Sequence, residues 1–325
     1  MRQRADQSHD PVPSGAQSAD AAQDRPPLDC TESGLVAAGP SAGQRSALLG
    51  RHPRLEAVAR LIGDDSPTVR AALLHELRAA GRLAGPHLRR AARSDDPRRR
   101  SHARQILEAL RQERVVRRLV GFAARGELDL ERGLFLLSRL AEPALDRRPY
   151  QRALDAMAAQ VESRARNLTD ELSRARMLVE YLGQELGYRG DVEAYSSPDN
   201  VHLQRVITMR RGLPLSLCAL YSFVARRCSI HTGIVPLPGH VMLRLYGRHQ
   251  NLIVDPFHGG EAKSQEDLVQ YLKQHGLRFD PVWMHDASSR MLFRRQVANL
   301  RNAWRQLGRF ESARRLDLLL LQLSS

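Results

Sequence analysis

From Leu48 to Leu119 apolar residues recur every three or four positions, the period of helices that turn one face to a core. Two breaks interrupt this pattern in the same way. "DDSPTVRAALLHEL" and "SDDPRRRSHARQIL" each place acidic residues before a proline, Pro67 and Pro97, and an arginine-bearing amphipathic run after it. Proline suits the first helical turn, where its missing N–H would have had no partner, and the acidic residues before it can cap the helix. The helical period continues through "DLERGLFLLSRLAEPAL", "YQRALDAMAAQVESRAR" and "ELSRARMLVEYLGQELGY".

The texture then changes. "GYRGDVEAYSSPDN" is a loop by its Gly, Ser, Pro and Asn content, and "VHLQRVITMRRG" is a short helix that Gly212 is expected to end. "LPLSLCALYSFVARRC" is an apolar helix entered through a Gly-x-x turn. Three strands are predicted after it: "TGIVPL", "HVMLRLY" and "NLIVDPF". The last two are joined by "GRHQ" and read as an antiparallel hairpin. If Tyr246 faces Gln250 or Asn251, the nearly constant register sum has His240 face a residue close to Asp255, so that their side chains can be neighbours across the pair. The chain closes with two helices, "RMLFRRQVANLRNAWRQLG" and "FESARRLDLLLLQL".

Residues 1–44 are rich in Pro, Gly, Ser, Ala, Asp and Gln and have no periodic apolar positions, so they cannot offset the entropy of ordering and are expected to be disordered. No run approaches the ~18 uncharged apolar residues of a membrane span, and the polar N-terminus has no signal-peptide core. A cytoplasmic protein without membrane attachment is the expectation. Cys30, Cys218 and Cys228 form neither a CxxC pair nor a disulfide framework, so no structural metal is expected.

The net charge is +14, and residues 51–125 alone carry 18 arginines against 8 acids, or +10. That concentration makes nucleic acid a candidate partner for the segment. The chain holds only two lysines, Lys263 and Lys273, so the arginine excess also fits a GC-rich coding bias.

A helix start followed by a strand with His and a neighbouring strand with Asp is the layout of papain-like and transglutaminase-like cysteine enzymes. There the helix dipole and an imidazolium lower the pKa of a thiol at the helix N-terminus, and Asp orients the His. "RGLPLSL", "PGH" and "DPFHGG", in that order, resemble the bacterial SirB family of transglutaminase-like proteins, which also carry a tetratricopeptide-type C-terminal segment. The resemblance runs from about residue 128 to the end; Val201, where Ser is expected after Asn200, departs from it. The turn "LGRFESA" fits the tetratricopeptide hairpin, and the two proline-led units are similar to HEAT-type repeats. Two such units are fewer than a free-standing solenoid needs, so they are expected to lean on the helices C-terminal to them.

In the wider superfamily, the resemblance implies, the nucleophilic cysteine sits about twelve residues before an arginine of the same helix. Counting back from Arg226 reaches Pro214. Cys218 lies one turn further on, about 6 Å along the axis, among Leu217, Leu220, Tyr221 and Val224, the company of a buried residue. Ser216 is placed to bond free backbone groups at the helix start. His258, Gly259 and Gly260 read as a turn, with no second and third metal ligand at useful spacing. Arg210 and Arg211 are candidates for an anion at the helix start, or a solvated pair.

These observations predict an α+β, mainly helical protein: a transglutaminase-like (papain-like) core with a small antiparallel sheet, flanked by helical repeats. The expected segments are a disordered tail over 1–44, a HEAT-like segment over 45–125, a transglutaminase-like domain over 126–285 and a tetratricopeptide-like hairpin over 286–325. The function expected first is a non-catalytic interaction module that keeps His240 and Asp255 and meets a protein or peptide partner. The alternatives are a cysteine hydrolase or acyltransferase using Cys218, His240 and Asp255, with Ser216 a further nucleophile candidate, and nucleic-acid binding through residues 51–125. No cofactor and no metal are expected.

Overall fold

A computed structural model describes residues 53–324; the predicted tail, Cys30 and the start of the 45–125 segment lie outside the described residues. Four helices come first: α1 (Pro53–Arg60), α2 (Pro67–Ala80), α3 (Ala84–Ala91) and α4 (Pro97–Ala123). Pro67 and Pro97 both stand in first turns, as their sequence context implies. The caps differ between them. Asp96 accepts from the Arg98 N–H, whereas Ser66 makes no side-chain cap and Asp64 instead accepts from the Ser66 N–H. Ala59, Ile62, Leu73, Leu77, Leu88 and Ala103 form a core of their own. At 27 residues, α4 is about 40 Å long and reaches a second core with Val115, Leu119 and Phe122.

That larger core gathers α5 (Leu130–Ser138), α6 (Arg148–Arg164), α7 (Glu171–Glu180), α8 (Leu203–Met209) and α9 (Pro214–Arg227). Each of α5 and α7 starts where an aspartate, Asp129 or Asp170, accepts from a backbone N–H three residues on. The long run predicted from Asp129 to Leu145 is helical only to Ser138. The run predicted to Tyr188 widens at Tyr181–Glu185 into a π turn, where the backbone of Gly259 crosses directly over Gly183. The short helix α8 does not wait for Gly212: it ends at Met209, because Arg210 takes the left-handed conformation at φ 57°.

Arg189–Gly190 (β1), in what reads as loop, and Arg211–Gly212 (β2), in what reads as the end of a helix, form a two-residue parallel ladder. The main sheet is antiparallel in chain order: β3 (Thr232–Val235), β4 (Met242–Tyr246), β5 (Asn251–Asp255) and β6 (Glu261–Lys263). Alternation along the strands divides its faces. Ile234, Leu243, Leu245 and Val254 join the core around α9, while Val235, Leu237 and Met242 pack with Leu268, from α10 (Gln265–Gln274), and with Trp283. The chain then forms α11 (Ser289–Gln306) and α12 (Phe310–Gln322), whose inner residues Phe293, Val297, Leu300, Leu316 and Leu319 enter the large core.

Helix α9 is the axis of this assembly. Every residue from Pro214 to Ala225 except Ser222 is buried. Each fully buried Leu on it contributes about 1.5–3 kcal/mol relative to exposure, so a helix with weak amphipathicity is held by contacts all round. Among the described residues no helix is long and apolar enough to cross a membrane.

Candidate functional site

The site is built where the sheet meets α9 and α11. Tyr246 pairs with Asn251 and Leu243 with Val254. Continued past Leu243, that register sets Met242 opposite Asp255, and His240 stands in the turn just before β4. His240 and Asp255 therefore meet on a diagonal, Nε2 2.8 Å from Oδ2. The other carboxylate oxygen of Asp255 accepts from the Phe257 N–H at 2.9 Å, which fixes the orientation of the group.

Oδ2 has a second imidazole partner. His258 Nδ1 lies 2.7 Å from it, so both rings converge on one oxygen. The expectation that His258 has no ligands near it rested on sequence spacing and is corrected here: His240, Asp255 and His258 each bring one ligating atom within 4.8 Å of the other two. The missed signal was local, since a 3₁₀ turn after Asp255 returns the residue three positions on to the same side. Only the fold shows that His240 reaches the same atom. Burial opposes the charge on Asp255, but the hydrogen bonds and positive ends of His240 and His258 win, and its pKa is lowered.

The turn that carries His240 is clamped from outside the sheet. Arg295 of α11 donates to the carbonyls of Leu237 at 3.1 Å and His240 at 2.9 Å, and Tyr271 of α10 donates to that of Pro238 at 3.2 Å. Gly239 is needed there, because φ is +77°. Tyr271 and Phe257 flank the His240 ring with centroids 5.8 and 5.9 Å away, and Tyr195 stacks edge-on to Phe257. Sequence reasoning passed over Arg295 and Tyr271, for nothing local distinguishes them from other helix residues.

The thiol and hydroxyl candidates lie beneath this surface. Pro214 occupies the first turn of α9 and is buried. Cys218 is fully buried, and its Sγ donates to the carbonyl of Val241 at 3.5 Å, beside His240 in sequence. Burial and, after it, the charge of Asp255 push this thiol well above its ordinary pKa, the opposite of an activated nucleophile. Ser216 donates to the Asn200 carbonyl at 2.6 Å and accepts from Gln296 at 2.7 Å. Arg226, from which the slot was counted, pairs with the buried Glu131 at 2.8 Å.

Arg210 and Arg211 each donate to a backbone carbonyl, of Leu186 and Gly187, closing the loop before β1, and Arg210 is exposed. A part of the positive charge of residues 51–125 is engaged. Arg54, Arg78 and Arg98 pair with Glu76, Glu113 and Asp65, while Arg99 and Arg100 bond backbone carbonyls.

Compared with known proteins, residues 148–298 match the family model of the transglutaminase-like superfamily. The matched stretch opens at α6, contains α9 and the whole sheet, and runs into α11. The chain is 28% identical over 194 residues to the UPF0162 protein of Xylella fastidiosa (strain 9a5c), covering 58% of this chain and 69% of that one. It is 31% identical over 140 residues to the UPF0162 protein of Xylella fastidiosa (strain Temecula1 / ATCC 700964), covering 43% and 50%. With the UPF0162 protein of Vibrio cholerae serotype O1 it shares 26% identity over 156 residues, covering 47% and 57%. The chain thus spans between half and about two thirds of the length of these bacterial relatives. No solved structure matches.

Proposed function

We propose that the transglutaminase-like domain of residues 148–298 is a binding domain rather than a thiol enzyme. One observation carries this: the nucleophile position at the start of α9 holds Pro214, and the nearest cysteine, Cys218, is fully buried with its thiol bonded to Val241. A thiol with a raised pKa and no exposure supplies almost no thiolate at neutral pH. The partner that best fits is a protein or peptide, because Phe310, Leu318 and Leu321 stand exposed on α12 in the described structure at 64%, 67% and 69%. Alkylation of the native protein by iodoacetamide at pH 7, resolved by peptide mass spectrometry, tests the reading. Cys218 should label only after denaturation. Prompt native labelling that His240→Ala suppresses would instead sink this reading in favour of a cysteine hydrolase or acyltransferase using Cys218, His240 and Asp255.

A second reading, nucleic-acid binding, gains support where the end of the 51–125 segment meets residues 132–148. Arg118, Arg125, Arg132, Arg139, Arg147 and Arg148 line a cleft of about 860 Å³ in which Asp146 is the one carboxylate. Apart from Arg139, their guanidinium groups have no hydrogen-bond or ion-pair partner among the described residues. Binding of a short single-stranded DNA, followed by anisotropy, should weaken steeply with salt and fall in Arg132→Glu/Arg147→Glu. Binding absent at low salt, or unchanged in that variant, would exclude this cleft.

A further inference from the structure

We propose that His240, Asp255 and His258 form a site for one divalent transition-metal ion of the zinc class. This deepens the reading of the domain as a binding domain by naming what its His–Asp group holds, and it uses no property of Cys218.

The donor set is two imidazole nitrogens and one carboxylate oxygen, which suits zinc, cobalt and nickel rather than magnesium or calcium. Nε2 of His240, Oδ2 of Asp255 and Nδ1 of His258 all lie within 4.8 Å of one another. A four-coordinate ion with ~2.0 Å bonds spaces its ligands ~3.3 Å apart. The two N–O separations, 2.8 and 2.7 Å, therefore need to open by only about half an ångström. Three protein ligands leave the fourth position to water or to a group on a partner.

The surroundings hold two of the ligands still and leave the third able to adjust. The Phe257 N–H occupies the other oxygen of Asp255, so Oδ2 alone is presented to the two rings. His240 is backed by Arg295 and Tyr271 through its turn. The guanidinium of Arg295 is engaged by the carbonyls of Leu237 and His240. The turn after Asp255 is closed by the Gly260 N–H bonding the Asp255 carbonyl at 2.8 Å, and Gln184 donates to the Gly259 carbonyl at 3.1 Å. His258 is the outward ligand, with 57% of its side chain exposed against 12% for His240 and 2% for Asp255. It gives an ion a path from solvent and can shift without disturbing the core.

Neutral imidazoles pass to the ion by moving their N–H to the far ring nitrogen.

The test is titration of the full chain with Co²⁺, read by its visible absorption, followed by displacement with Zn²⁺. The expected result is one Co²⁺ per chain with bands of a nitrogen and oxygen site, lost on adding Zn²⁺. Affinity should drop by ~100-fold or more in His258→Gln, since even outer-shell changes cost 10–100-fold. Because His258 is exposed, this variant should keep its circular dichroism and melting temperature; His240→Gln is the second variant. No saturable binding, or binding that both variants leave unchanged, would show that the group is hydrogen-bonded imidazoles only and overturn the site. Sulfur-to-cobalt charge-transfer bands that vanish on replacing the cysteines would overturn it in favour of thiol ligands. Cys218 labelling is measured on the metal-free protein and does not depend on His258, so loss of the metal site and loss of the binding-domain reading are separate results.

Discussion

Gln296 of α11 donates a 2.7 Å hydrogen bond to Ser216 of α9, 80 residues away in sequence, and both side chains are buried. The same amide donates to the Val201 carbonyl at 2.9 Å, and Ser216 donates its own proton to the Asn200 carbonyl. A helix of the C-terminal hairpin is thus wired to the helix that would carry a nucleophile. Ser216→Ala should therefore lower stability by about 1–3 kcal/mol, because it leaves one buried N–H of Gln296 without its acceptor, while the Asn200 carbonyl keeps the Leu213 N–H. Gln296→Leu should cost a similar amount, and the double variant less than the sum of the two. Urea unfolding of the four proteins measures all three terms. Strict additivity would show that the bond contributes nothing.

Gly183 sits in the π turn with the Gly259 carbonyl against its Cα, and a Cβ there runs into that backbone. Neither side is a flexible chain end, so Gly183→Ala must displace the 256–260 turn. The expected loss is about 3 kcal/mol, the upper range of overpacking. A melting temperature equal to that of the parent would mean that the turn yields freely. In that case the His258 position would not be fixed by packing either.

His202 is buried at 2% exposure with no hydrogen-bond partner for Nδ1 among the described residues, and burial lowers its pKa from 6.5 to about 4. The sign is set by which state takes the proton. Between pH 6.5 and 4 the unfolded chain is protonated at this ring and the folded chain is not, so stability is full above 6.5 and is lost as pH falls towards 4. The loss amounts to about 3 kcal/mol over that window. His202→Gln should flatten this part of the pH–stability curve whatever it does to stability at pH 7. Equilibrium unfolding at pH 7 and at about pH 4.5 is the measurement, and an unchanged pH slope in the variant would refute the assignment.

What was legible in the sequence was what local chemistry decides. Prolines with polar residues before them marked the starts of α2 and α4, and alternation with turn residues marked β3, β4 and β5. The hairpin register brought His240 near Asp255, two positions off direct opposition, because pairing across a short turn is itself nearly local. The apolar neighbours of Cys218 already indicated a packed side chain. The left-handed turn at Arg210, the π turn and the β1–β2 ladder could not be read in this way. Each answers a contact from elsewhere in the chain, such as the Tyr188 hydroxyl on the Ile207 carbonyl or the Gly259 backbone on Gly183. The same reason separates the site residues. His240 and Asp255 belong to one hairpin, whereas Arg295 and Tyr271 come from helices whose sequence period specifies only which face is inward. The sequence alone brought His240 and Asp255 to one hairpin and placed Pro214, not a cysteine, at the start of α9. The tertiary structure decided that His258 completes the group, that α11 braces it and that Cys218 is sealed beneath it. Burial and long-range hydrogen bonds exist only once distant helices have packed.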